Sequence, residues 1–260
     1  MFLAIGGVKV RDHSIPTIDI IELCLLAGKL MLQNGAETYR VEDTMTRIAA
    51  SFGIHHSHSY VIPTGIIFSI DGLEPSKLIR ISERSTDLEK VTLVNNISRR
   101  ISGGELSHEQ AMMELKELEK ANLFFPAWVQ ISAAAISSAC FLIMFDGKWH
   151  DFFPALVTGG VGFSCFLYLH YLVKIKFFSE FSASLIIGFM AFLFVTSGLG
   201  HEIDKIIIGS VMPLVPGLLI TNAVRDLMAG HLVSGLSKGA EAFLTAFAIG
   251  SGIAVIFAFY

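Results

Sequence analysis

The chain has 260 residues, 53% hydrophobic and 16% charged, with a mean hydropathy of +0.62 and a net charge of −4. This composition excludes an ordinary soluble globular chain, and with no long basic run it gives no electrostatic footprint for nucleic acid. Residues 1–125 hold 13 of the 19 Lys and Arg and 16 of the 23 Asp and Glu, so two regions are built for different solvents.

Residues 1–8 are apolar but lack a basic flank and the length of a signal core, so no cleaved signal is expected and the amino terminus is placed in the cytoplasm. Residues 15–34 read as a helix, with Leu23, Leu26, Leu30 and Met31 at helical spacing and Gly35 as its stop. A second helix over 36–51 carries the apolar stripe Val41, Met45, Ile48 and Phe52, with Arg40, Asp43 and Arg47 toward the other side. From 55 to 70 the texture is β-branched and aromatic, divided by Pro63-Thr64-Gly65, and Asp71-Gly72 is a turn signal. Another short strand is expected over 78–81. Helices over 87–101 and 107–121 follow, separated by Gly103-Gly104, the second opened by a Ser107/Gln110 capping box. Residues 1–123 are therefore expected to form a small α+β cytoplasmic domain.

Beyond it lie five stretches with no Lys, Arg, Asp or Glu: 124–145, 152–173, 181–200, 206–224 and 242–260. At 19 to 22 residues each, they are long enough to cross ~30 Å of hydrocarbon at ~1.5 Å per residue. Residues 124–260 thus predict an all-α domain of five transmembrane helices. Trp128, Trp149, Tyr168, Tyr171 and Tyr260 fall where interfacial anchors belong. Lys174, Lys176, Arg225 and Lys238 lie in the loops after the second and fourth spans, against Lys148 and Lys205 in the other two. That bias also puts the amino terminus inside and the carboxyl terminus outside.

The fourth span contains Pro213-Leu214-Val215-Pro216-Gly217, where two prolines remove donors, so a broken helix is expected. Broken helices at membrane depth survive where protein or a water-filled cavity satisfies the freed backbone, as in transporter sites; a passive kink is the plainer alternative. Ser210, Pro213, Pro216, Gly217, Thr221, Asn222, Asp226 and Glu241 are the candidate substrate or ion pathway. Asp226, which shares a helix face with Asn222, is the preferred proton-carrying acid, and Arg225 and Lys238 could equally be ordinary interfacial charges. Ala242, Ala246, Gly250 and Ala254 recur every four residues as a helix-packing stripe. Its partner could lie in this chain or another, so a homo-oligomer stays open.

In the amino-terminal region Glu37, Arg40, Glu42 and Asp43 form a dense charged cluster, read as gating or docking rather than catalytic because no nucleophile accompanies it. His55, His56 and His58 lack further ligands at metal spacing and read as surface or structural residues. Cys24, Cys140 and Cys165 are scattered and imply no disulfide framework. Gly235-Leu236-Ser237-Lys238-Gly239 matches a nucleophile elbow literally, but no histidine follows residue 231 to complete a triad. The GxxxxGK[ST] pattern of a phosphate-binding loop does not occur. No catalytic residue, metal or cofactor is expected. The alternative to a carrier is a membrane-tethered enzyme or sensor acting through the amino-terminal domain.

Taken in order, 35–44 (Gly-Ala-Glu-Thr-Tyr-Arg-Val-Glu-Asp-Thr), Pro63-Thr64-Gly65, Pro213 to Gly217, and Arg225-Asp226-Leu227-Met228-Ala229-Gly230 through Ser234-Gly235 to Glu241-Ala242 resemble the threonine/serine exporter family. The resemblance implies a secondary exporter of small carboxylate-bearing metabolites, coupled to protons, in the cytoplasmic membrane of a bacterial-type cell. Full-length members carry a second hydrophobic half. This chain therefore resembles the larger subunit of a split form, which implies a smaller multi-span membrane partner and a dicarboxylate such as succinate as an alternative to threonine and serine. An odd number of spans would make a following five-span half insert inverted, with substrate near the midplane and its carboxylate at the positive end of the half-helix that begins at Pro216-Gly217.

Overall fold

A computed structural model describes residues 16–71 and 76–258. The expectations for residues 1–8, Gly72 and Tyr260 lie outside the described residues. The chain is mostly helical, with a small three-stranded sheet in its amino-terminal part, and divides into two compact units.

The first unit comprises Met1–Leu123 together with Asn222–Ser237. Its central helix α1 (Thr17–Gln33) buries Leu23, Cys24, Ala27, Leu30 and Met31, and packs closely on α2 (Thr38–Ser51) because a Cβ at Gly28 would strike Met45. The turn between them needs Gly35, whose φ of +92° is open only to a residue without a side chain. Strands β1 (Ser57–Ile62) and β2 (Gly65–Ile70) are joined by Pro63-Thr64, pairing Ile62 with Gly65, and β3 (Lys77–Arg80) adds antiparallel to β2. Alternation sends Val61, Ile66, Phe68 and Ile70 into the core and leaves Tyr60, Ile67 and Leu78 exposed. Helix α3 (Leu88–Ser102) starts where Asp87 accepts the Lys90 N–H at 3.1 Å, and α4 (His108–Lys120) starts at the capping box of Ser107 and Gln110.

The second unit comprises Phe124–Thr221 and Lys238–Tyr260. Helices α5 (Ala127–Met144), α6 (Phe152–Val173) and α7 (Lys176–Thr196) precede a shorter α8 (Ile203–Val211). Helices α9 (Gly217–Met228) and α10 (Leu232–Phe257) each contribute residues to both units. Among the described residues, four helices are long and apolar enough to cross a membrane, and the bent pair Ile203–Leu214 and Gly217–Met228 makes a fifth if counted as one span. Close approach rests on glycine, since a Cβ at Gly159 would overlap Ser138, one at Gly162 would overlap Ile187, and one at Gly209 would press on the Ser138 carbonyl.

The helices differ from the uncharged runs at three places. Helix α7 begins at Lys176 rather than 181, drawing Lys176 and Glu180 into its first turns, and α10 begins at Leu232, ten residues before 242. Absence of charge marks the apolar middle of a helix, whereas its ends are set by backbone bonding and can carry charged side chains. The stretch 206–224 is not one helix, because the chain bends by 62° across its proline segment.

The four-residue stripe on α10 does not form one in-chain packing face. Ala242 is buried, but Ala246, Gly250 and Ala254 are exposed, and a Cβ at Gly250 would meet nothing within 4 Å. Four residues advance ~400° around a helix, so a strict interval of four drifts ~40° per step and leaves the contact face. The inward side instead follows Ala242, Thr245, Ile249 and Gly252, where a Cβ on Gly252 would strike the Ser184 hydroxyl and the Phe181 carbonyl of α7.

Candidate functional site

Helix α8 ends in a 3-10 turn, Met212–Leu214, after which Val215 is extended at φ −63°, ψ 130° and α9 restarts at Gly217. Pro213 and Pro216 supply no N–H, so the break leaves carbonyls without their usual helical donors. Short local bonds replace some of these, Val215 N–H to the Met212 carbonyl at 3.2 Å and Gly217 N–H to the Val215 carbonyl at 2.8 Å. Gly217 is exposed with open space around it, so the first turn of α9 is accessible. Ser210 is buried and donates to the Ala155 carbonyl at 3.3 Å, tying α8 to α6, while Thr221 donates to the Gly217 carbonyl of its own helix at 2.9 Å.

Asn222, Arg225 and Asp226 belong to the first unit, where they meet the α1–α2 turn. Asp226 is 0% exposed, and its two oxygens accept from the Thr38 backbone N–H at 3.0 Å and the Thr38 hydroxyl at 2.8 Å. Thr38 is the first residue of α2, and Glu37 before it provides no side-chain cap. Asp226 therefore caps a helix 188 residues away in sequence, placing negative charge at the positive end of α2. The Thr38 hydroxyl also lies 2.5 Å from that of Ser234, and Asn222 donates to the Gly35 carbonyl at 2.8 Å.

Glu37 accepts from Arg225 at 2.5 Å and from Arg40 at 3.1 Å. Burial alone would push its carboxyl up, but its backbone hydrogen bond and the two arginines outweigh that and hold it below the usual carboxylate range. Glu42 goes the other way. Its burial pushes the carboxyl up, beyond what His231 at 3.9 Å and the Val61 N–H at 3.1 Å offset, and the negative charge of Asp226 adds to the rise. Asp43 stands outside this network and pairs with Arg47 on the exposed side of α2. A cleft of about 200 Å³ in the first unit is lined by Tyr60, Val61, Ile62, His231, Leu232 and Ser234.

In the second unit Glu241 of α10 pairs with Lys176 of α7 at 3.2 Å, and Glu180 lies 4.0 Å from the same ammonium. Asp151, 0% exposed, accepts the N–H groups of His201 and Glu202 at 2.7 and 3.1 Å, fixing the entry to α8. Sequence reasoning missed Glu180, Asp151, Thr38 and Ser234. Glu180 stands one residue before an uncharged run and four after Lys176, a spacing that could have flagged it; nothing local signals the partners of Thr38 or Asp151. Among the described residues no three ligating side chains gather as a metal site, and His58 lies 3.1 Å from Asp71 at the surface.

Comparison with known proteins gives a consistent result. The model of the family described as "Putative threonine/serine exporter" (ThrE) matches residues 22–260. A Klebsiella aerogenes protein named "Probable succinate transporter subunit YjjP" is 26% identical over 249 residues, spanning 90% of this chain and 91% of that protein. An Escherichia coli K12 protein of the same name is 26% identical, spanning 90% and 92%. A Mycobacterium tuberculosis "Probable threonine/serine exporter" is 23% identical over 88% of this chain but only 44% of its own length. No solved structure matches.

Proposed function

The chain belongs to the threonine/serine exporter family, and from that premise we propose that it is the larger subunit of a proton-coupled secondary exporter of small carboxylate-bearing metabolites. The observation that carries the reading is the 62° break between Leu214 and Gly217 in a helix pair apolar enough to span a membrane. An anchor gains nothing from such a break, whereas a carrier uses it to bring backbone groups to a substrate. The accessible first turn of α9 can receive a carboxylate at the positive end of its helix dipole. We read the broken pair as the fourth of five spans, with the amino-terminal domain in the cytoplasm and the carboxyl end outside a bacterial-type inner membrane.

The relatives bear on substrate and assembly. Two that this chain spans almost end to end are named as succinate transporter subunits, and one of about twice its length is named as a threonine/serine exporter. Both facts support a carrier completed by a smaller multi-span membrane subunit, inverted relative to this one. In this reading the apolar helices of residues 124–260 carry the substrate, Glu37, Arg40, Glu42 and Asp43 are candidates for docking or gating, and no residue is assigned a catalytic role.

Reconstitution into vesicles, alone and with the smaller subunit, tests the proposal by counterflow of labelled succinate, threonine and serine. Accumulation of one of them only with both subunits is the expected result. Failure of all three with a folded pair would remove the substrate class, and hydrolase activity of the amino-terminal domain would favour the enzyme reading.

A further inference from the structure

Glu180 lies on the second turn of α7 with its side chain only 3% exposed. Its Oε2 is fully shielded and, among the described residues, has no hydrogen-bond partner; the buried Thr245 hydroxyl beside it on α10 also lacks one of good geometry. Neighbouring hydroxyls are committed elsewhere, Ser179 to the Ile175 carbonyl at 3.1 Å and Ser184 to the Phe181 carbonyl at 2.9 Å. The Lys176 ammonium stands 4.0 Å from Glu180, beyond hydrogen-bonding range, and donates to Glu241 at 3.2 Å. The Oε2 oxygen has thus lost its hydration without gaining a well-formed hydrogen bond in return.

We propose that Glu180 is the acid of this helical unit that takes up and releases the coupling proton, with Lys176 moving between Glu180 and Glu241 as it does so. When Glu180 holds a proton on Oε2, Lys176 remains on Glu241; when the proton leaves to water, the ammonium can turn to the newly charged carboxylate. One O–H bond forms and breaks, and no other bond changes. Lys176 and Glu241 are the charged groups facing Glu180 from α7 and α10, and Lys238 is buried one turn before Glu241. His170 of α6 is exposed and stacks on Phe166, while Asp204 and Lys205 of α8 follow the far end of α7. The same part of α7 touches α10 at Ser184 and Gly252, so a change of charge at Glu180 acts on a tightly packed helix pair.

The coupling rests on the exporter reading; the proton site does not. Infrared difference spectra of the full chain in lipid vesicles, taken across a pH titration, are expected to show a protonated carboxyl band in the wild type. Glu180→Gln should remove it, whereas Glu180→Asp and Glu241→Gln should keep it. Persistence of the band in Glu180→Gln, or its loss in Glu241→Gln alone, overturns the assignment. With the complete carrier, Glu180→Gln should lose gradient-driven transport and retain substrate exchange, and unchanged gradient-driven transport would likewise overturn it. A wild type that shows the band but transports nothing would end the exporter reading and leave the proton site standing.

Discussion

Asp226 in the first unit and Glu180 in the second are both shielded carboxylates on helices, but their surroundings differ in donors. Asp226 holds a backbone N–H and a hydroxyl at the positive end of α2, whereas Glu180 keeps one oxygen without a partner and shares its nearest cation with Glu241. Burial alone therefore does not identify a proton carrier. A carboxylate matched by donors serves as a fixed structural charge, and one without them has reason to change its protonation.

The sharpest way to break that contrast is to delete Asp226. Asp226→Ala strips α2 of its cap and leaves the Thr38 N–H without this acceptor, so the first unit should lose about 3 kcal/mol or more. Thermal unfolding of the purified chain checks this, and an unchanged midpoint would deny the structural role.

A second test contrasts two glycines on α10. Gly252→Ala places a methyl against the Ser184 hydroxyl and the Phe181 carbonyl, and should cost about 1–3 kcal/mol through overpacking. Gly250→Ala meets open space and should be neutral or slightly stabilising. Equal losses at both positions, read by unfolding in detergent, would contradict the packing face assigned to α10.

The smallest effects come from Glu37 and Glu42, and they carry opposite signs. The Glu37 carboxyl is held low in the fold, so its stabilisation is present above the unfolded pKa and is lost as pH falls through the folded value. Glu42 is pushed up, so its ionised form disfavours the fold once pH rises above the unfolded value. Glu37→Gln should thus destabilise at neutral pH and become silent in acid. Glu42→Gln should stabilise slightly at neutral pH, with the gain disappearing in acid. Stability measured from acid to neutral pH separates the two, and parallel curves would refute the assignment.

What the sequence discloses follows the range of each interaction. The Pro63-Thr64-Gly65 hairpin, the Ser107/Gln110 cap and the proline break rest on neighbours within a few residues, and each is readable from them. The pairing of Asp226 with Thr38 spans 188 residues and has no local signature. It brings Asp226 and Arg225 to the α1–α2 turn of the first unit, a placement that their position after the fourth uncharged run does not signal. Glu180 escaped for another reason, because counting uncharged residues locates apolar surface and not the ends of α7.

Whether Glu180 carries the coupling proton while Asp226 is a structural charge is decided by one pair of variants in the same reconstituted carrier. Gradient-driven transport and substrate exchange are measured for Glu180→Gln and Asp226→Asn, each normalised to folded protein. Glu180→Gln is expected to exchange substrate without responding to the proton gradient, and Asp226→Asn, where it folds, to respond as the wild type does. A folded Asp226→Asn carrier that has lost its response, beside a Glu180→Gln carrier that has kept it, would move the proton site from Glu180 to Asp226.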